Sequence, residues 1–589
     1  LRASILIAVL YVLVQALCSA GGSPARAEAG AEAAGTLPWE RSAPAKNASE
    51  AGEAPPEDAS ADPNAAPPPA PEPTAEAPAS SPAQSAKPEP QSATAPVADK
   101  PAATPAADSA ATESETPGPP HPVVVAIREK LVDRTVTKDA SEEDIAALKA
   151  FYRERSEPPL WIMEMGFSAK GQAVLFEIDK AGDWGLDAKD FALPEAGALP
   201  TDETAQALAE IKLDLAILQY ARFARGGRHA PSEVSELFDQ SPPVREPETV
   251  IAEIGKTGAP DVYLRSLHPQ HEQFGRLRQA LLDARKADKP NETDIRRLVI
   301  NMERWRWMPE ELGSLYVWLN TPDFMLYVVK DGKTVFEDRT LVGTVGNATP
   351  IFSDEMETIV FNPDWIAPPS VLEDKLWPAL KRKYYNVLKS NKLKVSYKGK
   401  PIDPAKVDWR RVNIHRFTFS QKAGPKNVLG KAKFLYPNKH IVYMHDTLPY
   451  RRKVFKEEVR AIGYGCVRMA EPLPFAKLML AEDQGLADSK VKELWDKSVN
   501  RAVTLKTKPP VHTTYFTVLV DDKGEVSTFK DLYGLDRKHA EALFGDTDGF
   551  PKPPPEPKQP SGSSGGVADS SGSPVRGGGF TNSVGFLDN

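Results

Sequence analysis

The chain has 589 residues, 26% of them charged, a formal net charge of −8 and only two cysteines. That length exceeds one hydrophobic core and predicts several domains. HExxH, a Walker loop, a dinucleotide fingerprint, zinc-ligand spacing and basic-aromatic repeats are all missing, so no metal, no organic cofactor and no nucleic-acid partner is expected.

Residues 1–27 read as a secretory signal: Arg2, an apolar run from Ile5 to Leu17, then Ala25-Arg26-Ala27 with cleavage after Ala27. The competing reading is an uncleaved amino-terminal anchor, although the run falls short of the roughly 20 residues a span needs. Cleavage removes Cys18 and leaves Cys466 as the one thiol, with no internal disulfide open to it. Residues 28–120 are dominated by Ala, Pro, Glu and Ser and read as a disordered, proline-stretched linker, either a tether or filler. Part of the negative charge sits there and says nothing about a binding surface.

From 121 to 312 the pattern is helical. Ser141-Glu142-Glu143-Asp144 is a helix start, and Ile145, Leu148, Phe151 and Tyr152 follow on one face. Leu208, Ile211, Leu215 and Leu218 mark a second helix that stops at Gly226-Gly227. Gly182 to Leu186 is a turn, and a further helix runs from Asn291 to Trp307. Trp305 and Trp307 are expected to seat the next domain rather than stack a ligand.

After Gly313 the period changes to two, and 313–546 reads as a β-rich domain. Strands are expected at Leu315–Leu319, Phe324–Val329, Thr334–Phe336, Ile359–Phe361, His440–Met444 and Ala502–Leu505, with Asp331-Gly332 as a hairpin turn. The charged stretch 372–412 reads as an insertion capping a site. Residues 547–589, Pro- then Gly/Ser-rich, read as a disordered tail.

Two side chains carry candidate chemistry. His445 stands at the end of the expected strand 440–444, and Cys466 in the glycine-flanked turn Gly463-Tyr464-Gly465-Cys466. A thiol, with an ordinary pKa of about 8.5, needs a base to react near neutrality, and an imidazole suits that task. Lys422, Lys426, Lys431, Lys433, Arg451, Arg452, Lys453 and Lys456 crowd the same segments, either as a basic rim that concentrates carboxylates or as plain solvated surface.

His445-Asp446-Thr447 with Gly465-Cys466-Val467-Arg468 resembles the signature of the YkuD-type L,D-transpeptidases. Gly424 to Phe434, Pro437-Asn438, Gly343, Thr349 to Phe352 and Asn362 to Pro368 resemble further blocks of that family. Ala181 to Phe191, Val520 to Asp522 and Leu532 to Gly534 resemble its large YcbB-like subgroup. The resemblance implies an α+β protein: a helical scaffold domain, then a β-rich catalytic domain with an inserted lid, flanked by disordered segments. It implies a periplasmic acyltransferase in which Cys466 attacks a donor tetrapeptide stem, expels D-alanine and passes the acyl group to a diaminopimelate amine, giving a 3-3 peptidoglycan cross-link. Alternatives are an L,D-carboxypeptidase, attachment of an outer-membrane lipoprotein, and an inactive peptidoglycan-binding relative.

By the same resemblance His445 is general base and acid, oriented by the backbone carbonyl of Asp446. Backbone N–H groups of Tyr464, Gly465 and Cys466 form the oxyanion hole. Arg468, Tyr443, Trp365 and Asn427 are substrate contacts, with Arg468 forking a stem carboxylate or bonding carbonyls of the turn. Two departures stand out. The family commonly has Ser/Thr-His before Gly-Cys where this chain has Gly463-Tyr464, and 285–293 leaves no room for the peptidoglycan-binding module some relatives insert.

Overall fold

The computed structural model describes residues 119–164, 166–195 and 202–553. The expected signal (1–27), nearly all of the linker (28–120) and the tail beyond 553 lie outside the described residues.

Helices begin where the sequence supplies caps. α1 (Glu142–Glu154) starts at Ser141, whose hydroxyl accepts the Asp144 amide at 3.0 Å, with three acids in the first turn to complement the helix dipole. α2 (Glu203–Gly226) starts at Asp202 and stops at Gly227, whose φ of 83° lies in the region that favours glycine. The face expected for α2 is only part of what it buries. Leu213, Ala216, Ile217, Tyr220, Ala221 and Ala224 are buried as well, whereas Leu208 is 38% exposed. α2 is the central helix of the scaffold, surrounded on most sides, so no single stripe describes it.

α3 (Glu272–Lys286) and α4 (Glu292–Arg306) form the layer against the β domain. Trp305 at the end of α4 stacks on Phe516 at 4.5 Å between ring centroids, and Trp307 stacks on His539 at 5.0 Å. Both tryptophans therefore seat the next domain. The charged residues of α4 are anchored too: Arg304 meets Asp536 at 2.7 Å with both side chains buried.

The β domain is an 11-stranded mixed sheet. In chain order its strands are β1 (Leu315–Asn320), β2 (Met325–Lys330), β3 (Lys333–Gly343), β4 (Phe352–Glu355), β5 (Thr358–Phe361), β6 (Ala432–Leu435), β7 (Met444–His445), β8 (Ala461–Gly463), β9 (Val467–Met469), β10 (Arg501–Thr504) and β11 (Pro510–Thr514). Their spatial order is β10-β5-β6-β7-β9-β3-β2-β1-β11-β4, with β8 alongside β3. Asp331 and Gly332, at φ 49° and 74°, make the expected two-residue hairpin between β2 and β3.

Alternation sorts the sheet into two buried faces. Val317, Leu319, Leu326 and Val328 point to a core built around α5 (Pro472–Gln484), which supplies Phe475, Ala476, Met479 and Leu480. Trp318, Tyr327 and Val329 point the other way, to α3 and α4. The sheet curls around the apolar helix on one side and is covered by the scaffold on the other.

The insertion has a core of its own. Val371, Leu372, Leu376, Leu380, Leu388 and Trp409 pack with Trp365 and Phe419, beside a four-stranded sheet that runs from Lys400–Pro401 to Trp365–Ile366. The packed unit thus extends past both expected limits, 372 and 412. Two further expectations need correction. Residues 440–443 are not a strand: Ile441 is exposed with φ at 57°, and only Met444–His445 pairs. Ordered chain also continues past 546, since Phe550 is buried against Ile300 and Ala540.

Candidate active site

Three short strands assemble the site. β6 and β7 pair antiparallel with Lys433 opposite His445, and β7 and β9 pair parallel with His445 opposite Arg468. Paired residues share a face, and neighbours along a strand alternate. Ala432, Phe434, Met444, Val467 and Met469 therefore go to the core. Lys433, His445 and Arg468 go to the opposite face; the Tyr443 ring lies 5.9 Å from that of His445, and the Tyr443 carbonyl accepts the Val467 amide at 3.2 Å, which brings the adjoining Cys466 alongside. Register thus brings the two sequence-predicted groups to neighbouring positions on one face.

The turn that carries Cys466 is shaped by glycine and held from beneath. Gly465 has φ at 89°, and a Cβ on Gly463 would lie 2.9 Å from the Val342 carbonyl oxygen. The Thr349 hydroxyl donates to the Gly465 carbonyl at 2.9 Å and accepts the Gly343 amide at 3.0 Å. Tyr533 completes the clamp, its hydroxyl donating to the Gly343 carbonyl at 2.8 Å and accepting the Thr349 amide at 3.2 Å. With the Gly465 carbonyl tied down, the turn has one orientation. The amides of Tyr464, Gly465 and Cys466 donate to no turn or loop carbonyl among the described residues. Such amides can stabilise an oxyanion. Thr349 and Tyr533 were legible only as family blocks, and nothing in their spacing announced the clamp.

His445 is buried, and its Nδ1 lies 2.6 Å from the backbone carbonyl oxygen of Asp446. Nδ1 therefore carries the proton and Nε2 is left as the basic nitrogen. Burial, then Arg468 and Lys433, push the imidazole down to about 3, opposed by the Asp446 carbonyl. Burial pushes the Cys466 thiol above its ordinary value, opposed by Tyr443, Arg468 and Lys433. Both shifts favour the uncharged imidazole and the uncharged thiol. Cys466 as a residue is half-buried.

The other predicted residues divide. Tyr443 neighbours both the Cys466 thiol and Trp365. Trp365 is buried, so it supports Tyr443 from behind. Asn427 is not a surface for ligand. It is buried, its amide nitrogen donates to the Pro363 and Lys422 carbonyls at 2.8 and 3.1 Å, and its oxygen accepts the Leu429 amide at 2.9 Å. Those bonds use its polar capacity to hold the loop. Tyr464, which stands where a histidine is common, has the Lys375 ammonium of the insertion 5.8 Å from its ring centroid. The insertion also packs against Tyr443.

Residues 314–508 match the family model of the L,D-transpeptidase catalytic domain, YkuD. Over those residues the β domain is similar to the YkuD L,D-transpeptidase catalytic domain. Residues 146–281 match a second family model, described as a scaffold domain, so scaffold and transpeptidase domain follow one another as the sequence suggested. A Haemophilus influenzae protein named "Putative L,D-transpeptidase" is 28% identical over 243 residues, which are 41% of this chain and 48% of that protein. The chain spans about half the length of the curated relative it matches. The solved structures that align include the Ldtfm-avibactam carbamoyl enzyme, at 11% identity over 35% of this chain and 51% of that one, with a TM-score of 0.17. An L,D-transpeptidase from Mycobacterium smegmatis aligns at 9% identity over 34% of this chain and 58% of its own, also with a TM-score of 0.17.

Proposed function

We propose that this chain is an L,D-transpeptidase that joins peptidoglycan stem peptides through a thioester on Cys466. The observation that carries the reading is the grouping of Cys466, His445 and Tyr443 on one side of the sheet, next to a turn whose amides donate to no turn or loop carbonyl among the described residues. His445 Nε2 takes the thiol proton as sulfur bonds to the carbonyl carbon between the third and fourth residues of the donor stem. The amides of Tyr464, Gly465 and Cys466 receive the oxyanion. As the C–N bond breaks, His445 returns that proton to the departing D-alanine amine. A diaminopimelate amine of an acceptor stem then attacks the thioester, losing its proton through His445. The new C–N bond forms, the C–S bond breaks and the sulfur regains its proton.

The proton moves during attack rather than before it, because burial disfavours both charged partners in the resting state. The substrate places this chemistry in the cell envelope, in keeping with an exported chain. Among the described residues no helix is long and apolar enough to cross a membrane.

The test is mass spectrometry of the protein with a carbapenem, beside muropeptide analysis of sacculi digested after incubation. A covalent adduct on Cys466 with 3-3 dimers supports the reading, and Cys466→Ala should lose both while staying folded. Tripeptides without dimers mean hydrolysis, a lipoprotein-linked muropeptide means a different acceptor, and no adduct in the intact protein means an inactive relative.

A further inference from the structure

The basic residues around the site are not alike. Lys422 pairs with Asp364 at 2.6 Å, Lys431 with Asp496 at 3.8 Å and Arg452 with Asp446 at 3.0 Å. These three are neutralised by the protein itself. Lys433 is different: it is half-buried, on the reactive face, directly across from His445 on the neighbouring strand. Its Nζ lies 4.8 Å from the centroid of the Tyr443 ring, and the Tyr443 carbonyl accepts the amide of Val467, the residue after Cys466, at 3.2 Å. It has no carboxylate partner among the described residues. Burial pulls its ammonium below the ordinary lysine value, and the sulfur is the one group that opposes this. A half-buried cation kept without a counter-ion beside a nucleophile is unfavourable for the fold alone. A carboxylate brought by a ligand would correct it.

Resting on the transpeptidase reading, we infer that Lys433 is a specificity-determining residue that binds a free carboxylate of the donor stem beside the scissile bond. Two carboxylates of a tetrapeptide donor fit that chemistry, the terminal one on the departing D-alanine and the side-chain one on diaminopimelate. The terminal carboxylate is separated from the leaving nitrogen by one carbon. If Lys433 takes the terminal carboxylate, it reads whether exactly one residue follows the scissile bond. A longer stem would carry its carboxylate past Lys433.

The experiment measures kcat/KM for acylation of the full chain by three tetrapeptide donors: unmodified, amidated at the terminal carboxylate, and amidated at the diaminopimelate side-chain carboxylate. Wild type should prefer the unmodified donor over one amidated form by about tenfold or more, the worth of a charge-assisted pair, and the poorer form identifies the carboxylate. In Lys433→Gln that preference should collapse toward unity, and Lys433→Arg should restore part of it. A merely structural lysine would lower all three donors alike and leave the ratios unchanged, which overturns the inference. Equal acylation of wild type by all three donors overturns it too, while leaving the transpeptidase reading intact. No adduct on Cys466 with any donor overturns that reading and this inference together.

Discussion

His445 Nδ1 lies 2.6 Å from the backbone carbonyl oxygen of Asp446, so the ring is oriented by main chain and not by the neighbouring carboxylate. The Asp446 carboxylate is engaged elsewhere. It accepts the amides of Lys431 at 2.8 Å and Thr447 at 2.6 Å, and Arg452 at 3.0 Å. Gly430, at φ 60°, leaves the space that this carboxylate fills. Asp446→Asn should therefore cost stability, about 1–3 kcal/mol for disturbing buried hydrogen bonds, and leave carbapenem acylation of the folded protein within a few-fold of wild type. Thermal melts and adduct kinetics separate the two. A loss of about a hundredfold in acylation with the melt unchanged would mean that the carboxylate takes part in the chemistry.

The acylation rate should be nearly independent of pH between about 5 and 8. His445, pushed down to about 3, is already a neutral base across that range, and the thiol, pushed up, is still protonated. A drop of about tenfold on going from pH 7.5 to 5.5 would place the imidazole near its ordinary 6.5. A rise of about tenfold per pH unit would mean that a preformed thiolate is the reacting species. Stopped-flow acylation across the range decides among these outcomes.

Thr349 holds the turn without touching substrate. Thr349→Val removes the hydroxyl between the Gly343 amide and the Gly465 carbonyl. The amides that face the oxyanion then lose their fixed orientation, and acylation should slow by roughly tenfold to a hundredfold, approaching the cost of one lost oxyanion donor. Thr349→Ser keeps the hydroxyl and should recover most of the rate. Equal rates for the valine and serine variants would remove the clamp from the explanation.

Far from the site, α2 buries Glu210 and Asp214 one turn apart. The Tyr152 hydroxyl lies 3.0 and 2.7 Å from their oxygens, sharing hydrogen bonds with both, and the Trp161 indole donates to Asp214 at 2.7 Å. Burial, and for Glu210 also its acidic neighbour, raises both carboxyls above their ordinary values. A carboxyl raised on folding contributes its stabilisation in full below the unfolded pKa and loses it as pH rises through the folded one. The contribution of this pair to the thermal midpoint should thus fall as pH rises from about 4 toward 8, by several degrees. Asp214→Asn, which mimics the protonated acid, should flatten that slope. The same pH dependence in wild type and Asp214→Asn would show that the pair does not titrate across this range.

Sequence alone fixed what depends on neighbours along the chain. The helix start at Ser141, the stop at Gly227 and the Asp331-Gly332 hairpin are local backbone preferences, and each was readable at its own position. Motif order likewise marked Cys466 and His445. Tertiary structure decided what depends on register. Lys433 became distinct from Lys422 and Lys431 only when β6 paired with β7, because a shift of one residue would send its ammonium into the core and Phe434 onto the reactive face. Asn427 looked like a ligand contact until its loop closed around it, and residues 440–443 looked like a strand until Ile441 turned out of the sheet. The protonation states of Cys466 and His445 were decided in the same way. Burial sets both, and burial is a property of the assembled fold, not of any spacing in the chain.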